Sequence, residues 1–153
     1  MARLSDLAPE AAAALERLPL PAFDSTPWVA PPPLAECRVA IVSTAGIHRR
    51  SDRAFAGGAI DYRILPAYVD PADLVMSHVS VNFDRSGFQQ DSELVFPVGH
   101  LHELAAAGHI GSVADWHYSF MGATDPTRMV ESGHEVGRLL REDGVHAALL
   151  VPV

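Results

Sequence analysis

The chain has 153 residues, 48% of them hydrophobic, with 19 acidic and 11 basic residues and a formal net charge of −8. This length fits one hydrophobic core, and the acidic balance opposes attraction to nucleic acid or to anionic membranes. No apolar run approaches the ~18 residues that span a bilayer, and the amino-terminal stretch lacks the apolar core of a signal peptide. We therefore expect a cytoplasmic protein with neither nucleic acid nor membrane as a partner.

The first 36 residues are predicted to form a helix and an extended arm. Residues 5–18 place Leu7, Ala11, Ala14, Leu15 and Leu18 on one helical face, which we expect to dock on the domain. The proline-rich segment LPLPAFDSTPWVAPPPLAE follows, and repeated fixing of φ favours an extended arm. Phe23 and Trp28 are expected to pin this arm to the domain surface.

Residues 37–153 are predicted to form the main domain. Its first strand is VAIV, a β-branched and unbroken run that is typical of a central strand buried on both faces. The segments AIDYRILPA and DLVMSHVSVNF predict the second and third strands. A short helix is predicted in GHLHELAAAGHIG, before a strand or turn in IGSVADWHYSFMG.

The clearest predicted helix lies in DPTRMVESGHEVGRLLREDG, with Asp125 as its cap and Gly144 as its stop. It leads into VHAALLVPV, a continuous apolar run that indicates a buried parallel strand. Strands that alternate with helices predict an α/β fold: a single-domain sandwich with a mostly parallel sheet of four or five strands.

Polar side chains cluster after three predicted strands, where open parallel sheets place their binding sites. In STAGIHRRSDR, His48 can move protons and Arg49 can bind a carboxylate or phosphate. The alternative is a solvated basic loop that makes salt bridges. In SHVSVNFDRSGFQQDSE, the polar side chains indicate either a mutual network or a ligand, and the alternative is a polar turn with an ion pair between Asp84 and Arg85.

The third cluster, DWHYSFMG, contains His117 beside Tyr118. The two side chains can act as an acid/base pair, or they can satisfy each other in a half-buried position. Metal binding is not expected, because the histidines lack ligand spacing, and no glycine pattern for a nucleotide cofactor occurs. Cys37, the only cysteine, precedes its strand and is expected to be a buried structural thiol.

Four segments together resemble the selenoprotein B family of the glycine, sarcosine, betaine and D-proline reductases, and in particular its short members. They are VSTAGIHRRSD, SHVSVNFDRSGFQQD, VFPVGHLHELAAAGHIGSVADWHYSFMG and EDGVHAALLVPV. The resemblance implies reductive cleavage of a carbon–nitrogen bond in an amino acid or related amine. It also implies other reductase subunits as partners, a thioredoxin-type dithiol as reductant, and a pyruvoyl group on a partner subunit that captures the amine.

In that family the strand matching LLVPV is followed by a selenocysteine or cysteine, a proline and, two positions further on, a second cysteine. The chain ends at Val153, so we expect it to be truncated at a UGA codon read as stop, with an under-covered strip near Leu149 to Val151. We expect Val153 to emerge at the same edge of the sheet as His48, Asp84 and His117, which are predicted to be the catalytic residues. The predicted substrate-binding residues are Arg49, Ser77, His78, Arg85 and Tyr118. The alternative is a non-catalytic binding or assembly subunit for a small anionic ligand or a partner chain.

Overall fold

The structure, a computed structural model, describes residues 4–17, 26, 28–80 and 85–153. In these ranges the helices are α1 (Pro9–Glu16), α2 (Ser86–Gln90), α3 (Val98–Ala106) and α4 (Val130–Glu142). The strands are β1 (Arg38–Ser43), β2 (Ile47–Arg49), β3 (Arg63–Pro66), β4 (Leu74–Met76), β5 (Ser112–Val113), β6 (Trp116–Ser119) and β7 (Ala147–Val151). No helix in the described ranges has the length and apolarity that a bilayer crossing requires.

The predicted α/β class and mostly parallel sheet are confirmed. β1 lies at the centre and pairs in parallel with β7 on one side and with β5 and then β6 on the other. β3 adds an antiparallel edge next to β6. The five strands thus occupy four positions across the sheet, since β5 and β6 share one side of β1.

The predicted third strand is largely wrong. Only Leu74–Met76 is a strand, and it pairs antiparallel with β2 in a separate two-stranded ribbon. Asp70 ends the preceding extended chain, because its side chain accepts from Ala72 N at 2.9 Å and caps the turn Pro71–Asp73. The polar cluster that follows β4 is therefore carried by the ribbon and not by the main sheet.

The chain bulges between β5 and β6. Val39 pairs with Val113, and Val42 pairs with Tyr118, so two extra residues lie on the β5–β6 side of the ladder. The insertion interrupts the backbone hydrogen bonds between this side of the sheet and β1. Side chains replace some of the lost donors and acceptors.

Arg38 and Asp143 hold the ends of the elements around this bulge. The Arg38 guanidinium binds the Asp143 carboxylate, donates to Val113 O at 2.9 Å, and lies 3.0 Å from Asp115. Asp143 Oδ2 also accepts from the backbone N–H of Asp115 at 3.0 Å and of Trp116 at 3.4 Å. Asp143 directly follows α4, so one carboxylate ties that helix to the bulge and to the start of β1.

Two apolar clusters cover the two faces of the sheet. One contains Ile41, Leu65 and Phe96, and the other packs α4 against the sheet through Tyr118, Phe120 and Val136. β7 is less covered: Leu149 is 40% exposed and Leu150 is 68% exposed. The under-covered strip expected there is observed, and it extends to both faces of the strand because the two leucines point to opposite sides.

The docking expected of the amino-terminal region is wrong where the structure describes it. α1 has no buried residue, and Trp28 is 77% exposed. Neither core cluster contains a residue that precedes Cys37 in the described chain. The apolar face of α1 consists mainly of alanine, which offers little area to bury. Phe23 lies outside the described residues.

Replacing Asp143 by alanine is expected to lower the free energy of unfolding by about 2 to 4 kcal/mol, because it removes the less exposed of the two carboxylates that bind Arg38 and leaves two backbone N–H groups without their acceptor. Urea denaturation of both proteins measures the effect. The neighbouring Glu142→Ala variant is the control, since it removes only an exposed pair with Arg138 and is expected to cost less than about 0.5 kcal/mol. Equal losses in the two variants would contradict this account of the bulge.

Candidate active site at the carboxyl edge of the sheet

The carboxyl ends of three parallel strands meet at one edge of the sheet. Ser43 at the end of β1 pairs with Ser119 of β6 and with Val151 of β7. Thr44 follows β1, Gly122 follows β6, and Val153 follows β7. We call these three residues the rim. Open parallel sheets place binding and catalytic groups at such an edge.

The segment after β7 is held tightly at the rim. Thr44 Oγ1 accepts from Val153 N at 2.8 Å and donates to Val153 O at 3.4 Å, while Thr44 N donates to Val151 O at 3.0 Å. Thr44 O accepts from Gly122 N at 2.8 Å. One residue thereby joins the ends of all three strands.

Glycine at position 122 permits this close approach. A Cβ built on Gly122 would lie 2.5 Å from Val153 O and 2.6 Å from Thr44 O. Both neighbours are backbone atoms that cannot move without disturbing the sheet. Any side chain at this position would therefore push the segment 151–153 away from β1.

His78 lies beside the rim. Its ring is buried, and Nε2 is 3.1 Å from the position of a Cβ on Gly122. Nδ1 accepts from Ser80 N at 3.2 Å, so the proton of the neutral ring is on Nε2. Burial, and then the positive charge of Arg85, lower the pKa of His78 from its ordinary value. His78 therefore directs a neutral N–H donor toward the rim near pH 7.

Arg85 and Ser77, both predicted to bind substrate, hold the backbone around His78. Arg85 donates to the carbonyls of His78 and Ser80, the latter at 3.1 Å. Ser77 Oγ accepts from Phe55 N at 2.8 Å, and Ser77 N donates to Gly46 O at 3.0 Å. In the structure these two residues fix the geometry of the site. A role in substrate binding stays a prediction for both.

His48 and Arg49 lie on β2, just beyond the rim. His48 is buried, its Nδ1 donates to Arg49 O at 2.7 Å, and its Nε2 has no partner among the described residues. The ring packs edge-on against Phe55, with centroids 6.3 Å apart. Arg49 pairs with Asp52 at 3.3 Å. The loop therefore makes the salt bridges of the alternative interpretation, and the buried Nε2 of His48 keeps a lone pair that accepts no hydrogen bond from the described residues.

His117 and Tyr118 do not form an acid/base pair, so that part of the prediction is wrong. They are neighbours on β6 and point to opposite faces of the sheet: His117 packs against Phe96, while Tyr118 packs in the cluster under α4. Burial raises the pKa of Tyr118 to about 12. Neither side chain lies at the rim.

His117 has a structural task in the core. It is 0% exposed, and its Nδ1 accepts from Ile41 N at 2.9 Å, where the bulge leaves that N–H without a carbonyl from β6. Burial lowers the pKa of His117 to about 4. The imidazole thus replaces a backbone acceptor in the ladder and is neutral at pH 7.

Asp84, the third predicted catalytic residue, lies outside the described residues, so its role stays a prediction. Sequence reasoning missed Thr44 and Gly122. Thr44 directly follows the most convincing strand, which was a usable signal because hydroxyl side chains there can bond neighbouring strand ends. Gly122 had no comparable signal, since the two residues that approach it, Thr44 and Val153, are distant from it in sequence.

A mostly parallel α/β sheet with a histidine donor at its carboxyl edge has the layout in which open α/β proteins place their binding sites. The chain belongs to the glycine/sarcosine/betaine reductase selenoprotein B family, whose model matches residues 14–153. The family resemblance noted in the sequence is thereby confirmed.

Three relatives illustrate this membership. The D-proline reductase subunit gamma of Acetoanaerobium sticklandii is 31% identical over 133 residues, which cover 80% of this chain and 54% of the relative. The glycine reductase complex component B subunit gamma of Carboxydothermus hydrogenoformans is 28% identical over 87% of this chain, and the sarcosine reductase complex component B subunit beta of Peptoclostridium acidaminophilum is 30% identical over 86%. The chain spans 32% of the length of each of these last two. No solved structure matches the chain.

The Gly122→Ala variant is expected to lose about 1 to 3 kcal/mol of unfolding free energy, because the added methyl group meets two backbone carbonyls. Thermal or urea denaturation checks the loss, and amide exchange at Val153 and Thr44 should increase. Gly133→Ala is the matched control. Its Cβ meets nothing within 4 Å in α4, so it should stabilise the protein by about 0.5 to 1 kcal/mol. An unperturbed Gly122→Ala protein would show that the rim is looser than described.

Acid is expected to destabilise the fold through His117. Its pKa is about 4 in the folded protein and about 6.5 when unfolded, so the unfolded state binds the additional proton between these values. The contribution of neutral, buried His117 to the free energy of unfolding is complete above pH 6.5 and falls by about 3 kcal/mol as the pH drops to 4.

The His117→Asn variant, which keeps an acceptor near Nδ1 but does not titrate, should show a shallower decline of stability between pH 6.5 and 4.5. Urea midpoints across this range test it, with His100→Asn as an exposed control that should retain the wild-type slope. An unchanged slope in His117→Asn would refute the assignment.

Proposed function

We propose that the chain is a selenoprotein B-type component of a cytoplasmic, multi-subunit reductase in amino acid metabolism. The reductase cleaves a carbon–nitrogen bond of an amino acid or related amine, with thiols as the electron donor. Family membership supports the reductase component, and the three relatives named above are subunits of D-proline, glycine and sarcosine reductases. Other reductase subunits are accordingly the proposed partners.

The observation that carries the proposal is the attachment of Val153 to the rim. Thr44 and Gly122 hold this residue at the carboxyl edge of the sheet, beside the N–H donor of His78. A residue joined to Val153 would begin at this edge. A selenocysteine or cysteine there would supply the nucleophile, and a pyruvoyl group on a partner subunit would capture the substrate amine.

The net reaction states what the site must accomplish. One carbon–nitrogen bond breaks, the nitrogen takes a proton, the carbon takes a hydrogen, and two electrons come from a dithiol that becomes a disulfide. His78 suits this task, because a neutral N–H donor with a lowered pKa can stabilise negative charge on sulfur, selenium or a substrate carboxylate without losing its own proton. The nucleophile must lose a proton before it attacks, and the buried lone pair of His48 Nε2 is the proposed acceptor of that proton.

Thr44 is proposed as a positioning residue. Its hydroxyl group is bonded to both the N–H and the carbonyl of Val153, so it sets where the following residue begins. Geometry of this kind governs how well a nucleophile meets its substrate.

The nucleotides after the Val153 codon give the first test. An in-frame UGA followed by codons for proline, any residue and cysteine supports the reductase. A UAA or UAG with no open frame beyond it supports the alternative, a non-catalytic binding or assembly subunit.

The second test is reconstitution of the translated protein with the proposed partner reductase subunits. Thiol-dependent cleavage is measured as release of amine from glycine, sarcosine and betaine, and as ring opening to a linear amino acid for D-proline, whose nitrogen stays on the product. Cleavage of at least one substrate is expected, and serine in place of the selenocysteine or cysteine should abolish it without unfolding the chain. Cleavage that survives this replacement would rule out the nucleophile, and failure with all four substrates would rule out the reaction.

In the reconstituted enzyme, Thr44→Val is expected to lower kcat by about fivefold to tenfold with little change in KM, since it removes the hydroxyl group that anchors the reacting residue but leaves His78 in place. Thr127→Val is the control, because it removes a hydroxyl hydrogen bond of 2.7 Å to Asp125 in the turn before α4, away from the rim. A purely structural Thr44 would leave kcat unchanged once the folded fraction is matched.

A further inference from the structure

A cleft of about 470 Å³ lies beside β3 and has no part in the rim. It is lined by Arg53, Asp61 and Arg63 together with the small residues of the intervening loop. Arg63 pairs with Ser119, so the cleft opens at the same edge of the sheet as the rim. The order β3, β6, β1, β7 puts three strand spacings, roughly 14 Å, between the start of β3 and the end of β7.

The lining of this cleft has more positive than negative charge. Arg53 and Arg63 both bind a single oxygen of Asp61, at 2.8 and 3.0 Å. Burial acts to raise the pKa of Asp61, but the hydrogen bonds from Arg63 and Arg53 outweigh it, so the pKa lies below its ordinary value and the carboxylate stays ionised. Arg128 lies near Gly58 at the margin of the cleft, but its positive charge is balanced by the nearby carboxylate of Asp125. One cation of the lining therefore lacks a counter-charge, in a chain whose net charge is −8.

Arg63 is held in one orientation. Its side chain is only 10% exposed, Nε donates to Arg53 O at 2.8 Å, and Nη1 donates to Tyr62 O at 2.9 Å. The guanidinium lies over the Phe55 ring, 4.4 Å from its centroid. Nη2 has no acceptor among the described residues and is not fully buried, which leaves its two N–H groups for a ligand.

The loop opposite Arg63 is also fixed. Thr124 Oγ1 donates to Ala59 O at 2.9 Å, and Ser132 Oγ donates to Ile60 O at 2.5 Å, so the turn before α4 and the helix itself both anchor the loop. Arg53, whose side chain is 84% exposed, is the solvent-facing member of the pair. The cleft thus combines a preorganised guanidinium with a second that can close over a ligand, an arrangement that suits oxyanions.

We propose that this cleft binds a small oxyanion, a carboxylate or a phosphate, through Nη2 of Arg63 with Arg53 as the second contact. The site is separate from the rim and does not depend on the reductase chemistry proposed for it. Carboxylate and phosphate share the oxygen geometry that a guanidinium recognises, so the two sources are separated by experiment.

Isothermal titration calorimetry of the full chain at low ionic strength tests the proposal, with sodium phosphate and sodium acetate as probes and sodium chloride at matched ionic strength as the reference. Saturable binding of one or both probes is expected. Binding of phosphate alone assigns a phosphorylated ligand, and binding of acetate alone assigns a free carboxylate. Absence of saturable binding for both probes would overturn the proposal.

Variants locate the binding. Arg63→Lys, which keeps the charge but removes the planar fork, should weaken binding by about tenfold, and Arg53→Gln by about threefold. Arg138→Gln, at an exposed pair on α4, should bind as the wild type does. Circular dichroism checks folding, and if Arg63→Lys fails to fold, the exposed Arg53 variant still decides the question. Undiminished binding in folded variants of both residues would place the anion elsewhere.

Discussion

The interrupted strand beside β1 is the constraint on which the structure depends. Two extra residues between β5 and β6 remove backbone acceptors and donors from the centre of the sheet, where an unpaired group is costly. Side chains replace them: the His117 ring accepts from Ile41, and the Asp143 carboxylate accepts from the bulged backbone itself. With these replacements in place β6 can resume pairing in a new register, which aligns Ser119 with Ser43.

That register has a direct effect on the rim. It carries the chain beyond β6 to Gly122, whose missing side chain lets Thr44 and Val153 approach each other. The ribbon of β2 and β4 then places His78 against the same point, because Gly46 adopts φ +64° and its Cβ position lies 3.1 Å from the His78 backbone. The candidate site is thus built from one hydroxyl group, one imidazole and two glycines, on segments that are far apart in the sequence.

Local patterns were sufficient for much of the fold and for the family. The β-branched run VAIV predicted β1, and Asp125 and Gly144 bounded the last helical region, where Asp125 accepts from Thr127 N and Gly144 has φ +66°. These features depend on neighbours in the chain. His117 and Tyr118 were misjudged because adjacency in sequence suggests contact, whereas a strand sends alternate side chains to opposite faces. The burial of His117 also depends on the bulge, for which the residues Ala114 and Asp115 give no distinctive signal.

β7 has the apolar composition of an internal strand but lies at the edge of the sheet. It has no charged residue between Ala147 and Val151, and in the described chain it pairs on one side only. An uncharged, apolar margin of this kind is a template on which another strand can add, and bulges or lysines that usually discourage such addition are absent from it. Repulsion between copies must then come from the net negative charge of the whole molecule. Colloidal stability of the isolated chain should therefore be poorest in high salt and near its isoelectric point.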